Sequence, residues 1–252
     1  IGAAMGNRKD ELADLGSDFD RMASRLESLL EAQRRLLHDV SHELRSPLAR
    51  LQAAADLVRQ QPERAAEFIE RIERDTGRMD QLVGELLTLA RLDSGISGNL
   101  EEKLDLRDML DEIADDARIE AEHKHCSIDL EIDGQLVVRG SHELLYRAIE
   151  NVVRNAVLHS PEAGRISISA QSKDGRLHIA IGDNGTGVPE GDLAAIFEPF
   201  VRSGSGRSIA GYGLGLAITR RVIEAHSGLV SAANRAEGGL IVVLELPQGR
   251  PT

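Results

Sequence analysis

Through the opening part of the chain the apolar positions recur at spacings of 3 and 4. Phe19, Met22, Leu26, Leu29, Gln33, Leu36 and Val40 trace the seam of a coiled coil, interrupted only by Gln33. After Val40 the stripe continues through Leu44, Leu48, Leu51, Ala55 and Val58, so a seven-residue repeat gives way locally to an eleven-residue one. The spacing predicts a helix from about Ser17 to Gln60, stopped at Gln61-Pro62 because the residue before a proline is biased away from helix. A second stripe, Ile69, Ile72, Thr76, Met79, Val83, Leu86 and Ala90, predicts another helix that ends at Asp93-Ser94-Gly95, a glycine-type cap. With a tight reversal between them the two helices form an antiparallel hairpin. Two such hairpins from two chains would cover the seam as a four-helix bundle, so a homodimer is expected.

Beyond Gly95 the grammar changes. Ile96 to Glu102, with Gly98 and Asn99, loses periodicity and reads as a linker. An amphipathic helix is predicted from Leu106 to about His123, strands near Cys126 to Ile132 and Leu136 to Arg139, and a helix from Ser141 to His159. Strands near Arg165 to Ala170 and Leu177 to Gly182 follow, then a glycine-rich region. A helix from Leu214 to Ala225 and strands over Leu229 to Asn234 and Gly239 to Leu246 close the domain. Hairpin signals such as Ser172-Lys173-Asp174-Gly175-Arg176 call for a mixed sheet with helices on one face, an α/β sandwich rather than a doubly wound fold. The expected organisation is a connector over 1–30, the hairpin over 31–96, a linker over 97–103 and the α/β domain over 104–252.

Composition narrows the classes. The net charge of -12 over 252 residues argues against a nucleic-acid or anionic-membrane surface, which would need a basic footprint. The single cysteine, Cys126, lies in an alternating apolar run and rules out a disulfide framework, which points to a reducing compartment. No apolar run approaches the roughly 20 residues that span a bilayer.

On a helical wheel with Val40 at zero, His42 falls at about 200°, on the outer face with His38, Asp39, Arg45 and Ser46. Pro47 lacks the N–H that would bond the carbonyl of Glu43, so a bend is expected just past the histidine. A surface histidine on a coiled coil usually does nothing, and His38 with His42 lacks the further ligands of a metal site. The string His42-Glu43-Leu44-Arg45-Ser46-Pro47-Leu48, however, resembles the H-box of sensor histidine kinases, which usually has Thr or Asn where Ser46 stands. Upstream, Asp10-Glu11-Leu12-Ala13-Asp14-Leu15 resembles the end of a HAMP relay module whose first half is missing. The chain therefore reads as a cytoplasmic portion cut from a longer bacterial inner-membrane protein. The HELRSPLARLQ context is similar to the Cpx-type envelope-stress sensors.

Four stretches of the second domain carry chemistry. Asn151 and Asn155 lie on one helix face and can offer carbonyl oxygens to a hard cation, although paired Asn at that spacing are more often surface filler. Asp183-Asn184-Gly185-Thr186-Gly187 follows a strand and combines a carboxylate with glycines that permit close backbone approach. Phe197 and Phe200 precede Gly204, Gly206 and Gly211, a stretch suited to a lid. Gly211-Tyr212-Gly213-Leu214-Gly215 opens a helix whose free N–H groups suit phosphate.

In order and spacing these stretches resemble the N, G1, F and G2 boxes of the GHKL, or Bergerat-type, ATP-binding domain of histidine kinases. The resemblance implies a dimeric phosphotransfer hairpin followed by a GHKL domain that binds ATP with Mg²⁺. It implies autophosphorylation on His42, phosphotransfer to an aspartate of a response regulator, and Glu43 holding the proton on the other ring nitrogen. Asn155 and Asn151 would hold Mg²⁺ and Asp183 the adenine amino group. His159, Gly185, Gly187, Phe197, Gly211, Gly213, Leu214 and Gly215 would shape the nucleotide site, with Arg202 and Arg207 as lid cations. Two departures stand out. Leu158 replaces the usual N-box lysine, so affinity or rate falls or another cation compensates, and Ser46 leaves phosphatase activity toward the regulator open. Two alternatives remain. A gyrase-type ATPase would need a glutamate where Asn151 stands, and a scaffold that binds nucleotide without transferring phosphate is motivated by Leu158.

Overall fold

The computed structural model describes residues 11–95, 100–203 and 211–249. The expected connector before Glu11, linker residues Gly98 and Asn99, and Gly204, Gly206 and Arg207 of the expected lid lie outside them. Two units meet between Met79 and Asp80.

In the first unit α1 (Glu11–Gln60) runs uninterrupted with Pro47 inside it. It is already helical ahead of the expected Ser17, since Glu11-Leu12-Ala13 are strong helix formers with no stop signal after them. A 3₁₀ turn over Pro62–Arg64 makes the reversal, and α2 (Ala65–Asp93) follows, starting earlier than Ile69, with its residues from Asp80 onward belonging to the second unit. Ala54, Phe68 and Asp75 are buried in this hairpin, whereas Phe19, Met22 and Leu26 of the seam are exposed on the single chain. The α2 terminus matches expectation: Gly95 takes φ 71 and its N–H reaches the Leu92 carbonyl at 3.0 Å.

The second unit holds a five-stranded sheet in the order β2-β4-β5-β7-β6. Its strands are β2 (Ser127–Asp133), β4 (Arg165–Lys173), β5 (Arg176–Gly182), β6 (Leu229–Asn234) and β7 (Leu240–Pro247). The β2/β4 pair is parallel and the other three pairs are antiparallel, the mixed sheet the hairpin signals called for. In the β4/β5 turn Asp174 and Gly175 both take positive φ, 53° and 73°, as a two-residue turn of the I′ kind requires. Sheet residues alternate: Ile166, Ile168 and Ala170 of β4 and Leu240, Val242, Leu244 and Leu246 of β7 are buried.

Three helices cover that apolar face: α3 (Leu106–Glu122), α4 (His142–His159) and α5 (Gly215–Ala225). Leu106, Met109, Leu110, Ile113, Ala114, Ala117 and Ala121 form the buried stripe of α3. Asp105 caps that helix, its carboxylate accepting from the Arg107 N–H at 3.1 Å. The short pair of β1 (Lys103–Asp105) and β3 (Val137–Arg139) contains a strand absent from the sequence reading, since three residues are too few to show a period.

His226, buried at the end of α5, ties that helix to the start of α4. Its Nδ1 lies 2.7 Å from the Val222 carbonyl and its Nε2 accepts from the Ser141 N–H at 3.1 Å. That pairing needs the neutral ring with the proton on Nδ1, because a protonated Nε2 would point a second donor at the Ser141 N–H. Burial accordingly pushes the imidazole below its ordinary value, partly offset by the Val222 carbonyl. The unfolded chain therefore binds more protons than the folded one as pH falls below about 6.5, and stability drops with falling pH. Urea unfolding of the α/β domain should show a lower midpoint at pH 5.5 than at pH 7.5. His226→Gln should reduce that difference, and an equal difference in both proteins would assign it to other groups.

Candidate functional site

In the first unit His42 is exposed, as the wheel predicted, with His38 beside it at a ring-centroid separation of 4.4 Å and an edge-on geometry. Glu43 is half-buried and makes no hydrogen bond to His42. Ser46, one turn on, accepts from Arg50 Nη1 at 2.9 Å. The same guanidinium reaches across the hairpin to the buried Asp75 of α2, with Nη2 3.1 Å from Oδ1 and Nε 3.2 Å from Oδ2. Those hydrogen bonds hold the Asp75 carboxyl below the usual carboxylate range, against the opposing pull of burial. The turn of α1 that carries Ser46 is thus fastened to α2 by Arg50.

In the second unit a cavity of about 360 Å³ gathers most of the residues singled out from the sequence. Asn151, Asn155, Leu158 and His159 come from α4, Asp183 and Gly187 from the loop after β5, Arg202 from the chain before residue 204, and Gly211, Gly213 and Gly215 from the approach to α5. Three expected residues are not in the lining. Gly185 sits behind it, where a Cβ would lie 2.4 Å from the His159 carbonyl oxygen. Phe197 is buried in a 3₁₀ turn and Leu214 is fully buried ahead of α5.

Asp183 is 4% exposed. Its Oδ1 accepts from the Gly185 N–H at 2.7 Å and the Leu240 N–H at 3.2 Å, which leaves Oδ2 without a described partner. Gly239 makes this possible: with φ 95 it presses against the Asp183 backbone, and a Cβ there would meet the Asp183 carbonyl oxygen at 2.1 Å. Gly213 is equally constrained, with φ 72 and the Val201 carbonyl 2.8 Å from where a Cβ would sit. Asn155 makes no hydrogen bond to a described residue, so its amide oxygen is open to the cavity and fits a hard cation. The buried Asn151 is engaged, its Nδ2 donating to the Gly215 carbonyl at 3.3 Å and its Oδ1 accepting from Arg154 Nη2 at 3.4 Å. Desolvation pushes the His159 imidazole below its ordinary value, opposed by the Asp183 carboxylate, although the residue as a whole is exposed at the cavity mouth.

Several residues that line or brace the cavity carry no signal in the sequence. Gln81 and Glu85 of α2 line the cavity together with Arg154. Lys124 lies at the end of α4, its ammonium donating to the carbonyls of Val157, Leu158 and Ser160 at 3.0, 2.6 and 3.2 Å. Asn234 of β6 clamps the loop after Asp183: Oδ1 accepts from the Val188 N–H at 2.9 Å and Nδ2 donates to the Val188 carbonyl at 2.6 Å. No local motif marks these residues, since segments far apart in sequence bring them to the cavity.

A helical hairpin with an exposed histidine, followed by a mixed sheet under three helices with this cavity, is the arrangement of a phospho-acceptor domain joined to a GHKL nucleotide-binding domain. The matching family models agree: His Kinase A (phospho-acceptor) domain over residues 32–95, and Histidine kinase-, DNA gyrase B-, and HSP90-like ATPase over residues 140–250. The chain is 36% identical over 240 residues to the sensor histidine kinase CpxA of Escherichia coli strain K12, covering 94% of this chain and 52% of CpxA. The structure of the mycobacterial sensor histidine kinase MprB is 31% identical and matches with a TM-score of 0.55 over 60% of this chain and 100% of that one. A complex of histidine kinase ThkA with the response regulator protein TrrA shares the fold, with a TM-score of 0.69 at 21% identity over 96% of this chain and 68% of that one. The chain belongs to the sensor histidine kinases. It spans about half the length of the curated relatives it matches.

Asn234→Ala would free both polar groups of Val188 and loosen the loop that carries Gly187. The loss should weaken adenine-nucleotide binding by about tenfold and cost about 1–2 kcal/mol of stability. Calorimetric titration with ATP, paired with thermal unfolding, checks both. An unchanged affinity would show that the clamp does not shape the site.

Proposed function

We propose that this chain autophosphorylates on His42 from ATP and then passes the phosphoryl group to an aspartate of a response regulator. The observation that carries the reading is the convergence of Asn155, Asp183 and the Gly211 to Gly215 turn on one cavity, in a chain that also exposes His42 inside an H-box. Asp183 Oδ2 would accept from the adenine amino group while Oδ1 stays fixed by two backbone N–H groups. The start of α5 turns its unpaired N–H groups toward the polyphosphate. Asn155, with Asn151 as second candidate, would hold Mg²⁺, which when bound neutralises phosphate charge and aligns the transferring group.

The chemistry asks for a bond from one ring nitrogen of His42 to the γ-phosphorus, while the bond from that phosphorus to the β-bridging oxygen breaks and ADP leaves with the electron pair. The other ring nitrogen keeps its proton, and Glu43 is the nearest carboxylate in sequence to hold it. Since the two side chains are not hydrogen-bonded here, the Pro47 turn has to adjust for that contact to form. Ser46 would orient water for the reverse, phosphatase step, with Arg50 fixing its hydroxyl oxygen. A homodimer through the hairpin accounts for the exposed Phe19, Met22 and Leu26. The regulator partner of ThkA supports a receiver domain as the acceptor here. Among the described residues no helix is long and apolar enough to cross a membrane. We place the chain at the cytoplasmic face of a bacterial inner membrane, reached through a HAMP relay.

Incubation with γ-labelled ATP and Mg²⁺ tests the reading. Wild type should acquire label that survives alkali and is lost in acid, and His42→Ala and Asn155→Ala should acquire none. Bound ATP with no label at any time would favour the nucleotide-binding scaffold that Leu158 motivates.

A further inference from the structure

The loss of the N-box lysine at Leu158 leaves a charge to be supplied, and three cations stand near that end of α4. Lys124 is committed, its ammonium shared among three helix-end carbonyls. Arg202 belongs to the segment just before residue 204. Arg154 is on α4 itself, next to Asn155 and four residues before Leu158, so Arg154 and Leu158 occupy one helix face a turn apart and both line the cavity. An arginine one turn back, with its longer side chain, reaches the region a lysine at 158 would serve.

What holds Arg154 is weak by geometry. Its Nη2 lies 3.4 Å from Asn151 Oδ1 and 3.7 Å from Oε1 of Glu85, the second beyond hydrogen-bond range. Glu85 comes from α2, is 5% exposed, and has its Oε1 bonded by Gln81 Nε2 at 2.8 Å. The guanidinium thus faces a carboxylate without a close bidentate pair, while a phosphate could take two of its N–H groups at full strength. We infer that Arg154 is the phosphate-binding cation of this site in place of the missing lysine, and that Glu85 is the counter-ion it exchanges for phosphate. This rests on the nucleotide site proposed above and adds to it a link between α2 and the bound nucleotide.

Competition binding of adenosine and of Mg-ATP to the full chain, in wild type, Arg154→Gln, Arg154→Lys and Glu85→Gln, separates the possibilities. Arg154→Gln should weaken Mg-ATP by about tenfold or more and leave adenosine within about twofold, with Arg154→Lys recovering part of the loss. Glu85→Gln should tighten Mg-ATP by about threefold without changing adenosine, because the competing charge is gone. Equal weakening of both ligands by Arg154→Gln would make the residue structural and overturn the inference, as would unchanged Mg-ATP affinity. Glu85→Gln leaving Mg-ATP unchanged would overturn the exchange. Wild type binding neither ligand would overturn the nucleotide site itself, an outcome told apart because it does not depend on Arg154.

Discussion

Asp183 has to be buried and still have an oxygen to offer. A buried carboxylate is costly unless its lone pairs are met, and here two backbone N–H groups meet one oxygen and leave the other for a ligand. The surrounding architecture follows from that arrangement. The Leu240 N–H is in place because β7 pairs with β5 through Gly182 and Ile241. The close approach of the strand ends needs Gly239, and the return of the loop toward α4 needs Gly185 to pass the His159 carbonyl. A side chain at either glycine would push the carboxylate out of register.

The elements were legible where their period was long enough to show. The stripes of α1, α2 and α3 and the alternation in β4 and β7 set their types and nearly their ends, and Asp174-Gly175 set a hairpin register. The three-residue strand β1 left no period to read. The site was legible where one local stretch carries its chemistry, as at Asp183 and at Gly211 to Gly215. It was not legible at Asn234, Lys124, Arg154 or Glu85, whose partners lie far along the chain or in another element. Phe197 and Leu214 show the opposite limit: motif membership marked them, yet both are buried behind the cavity rather than in its wall.

The hairpin faces a different demand, since the proposed nucleophile His42 is exposed on a helix that is nonetheless held firmly. Pro47 removes a backbone hydrogen bond one turn after His42, and the Arg50 fork to Asp75 compensates from the side, across to α2. Because Arg50 also donates to Ser46, the residue that braces the turn fixes the hydroxyl one turn on from His42.

An acidic protein that binds a polyanion has to invert its field locally. With 42 acidic and 30 basic residues the whole chain repels ATP at long range, but at physiological salt that repulsion is screened beyond about 8 Å. Binding is then decided by charges inside that distance. The end of α4 is a poor place for phosphate on its own, because its carbonyls carry the negative end of the helix dipole. Lys124 neutralises that end, and the start of α5 presents the positive end of another helix. With Lys124 spent on the carbonyls and no lysine at 158, Arg154 is the cation of α4 that lines the cavity, Arg147 being turned to Thr88, and its present neighbours hold it loosely enough to let it turn toward a phosphate.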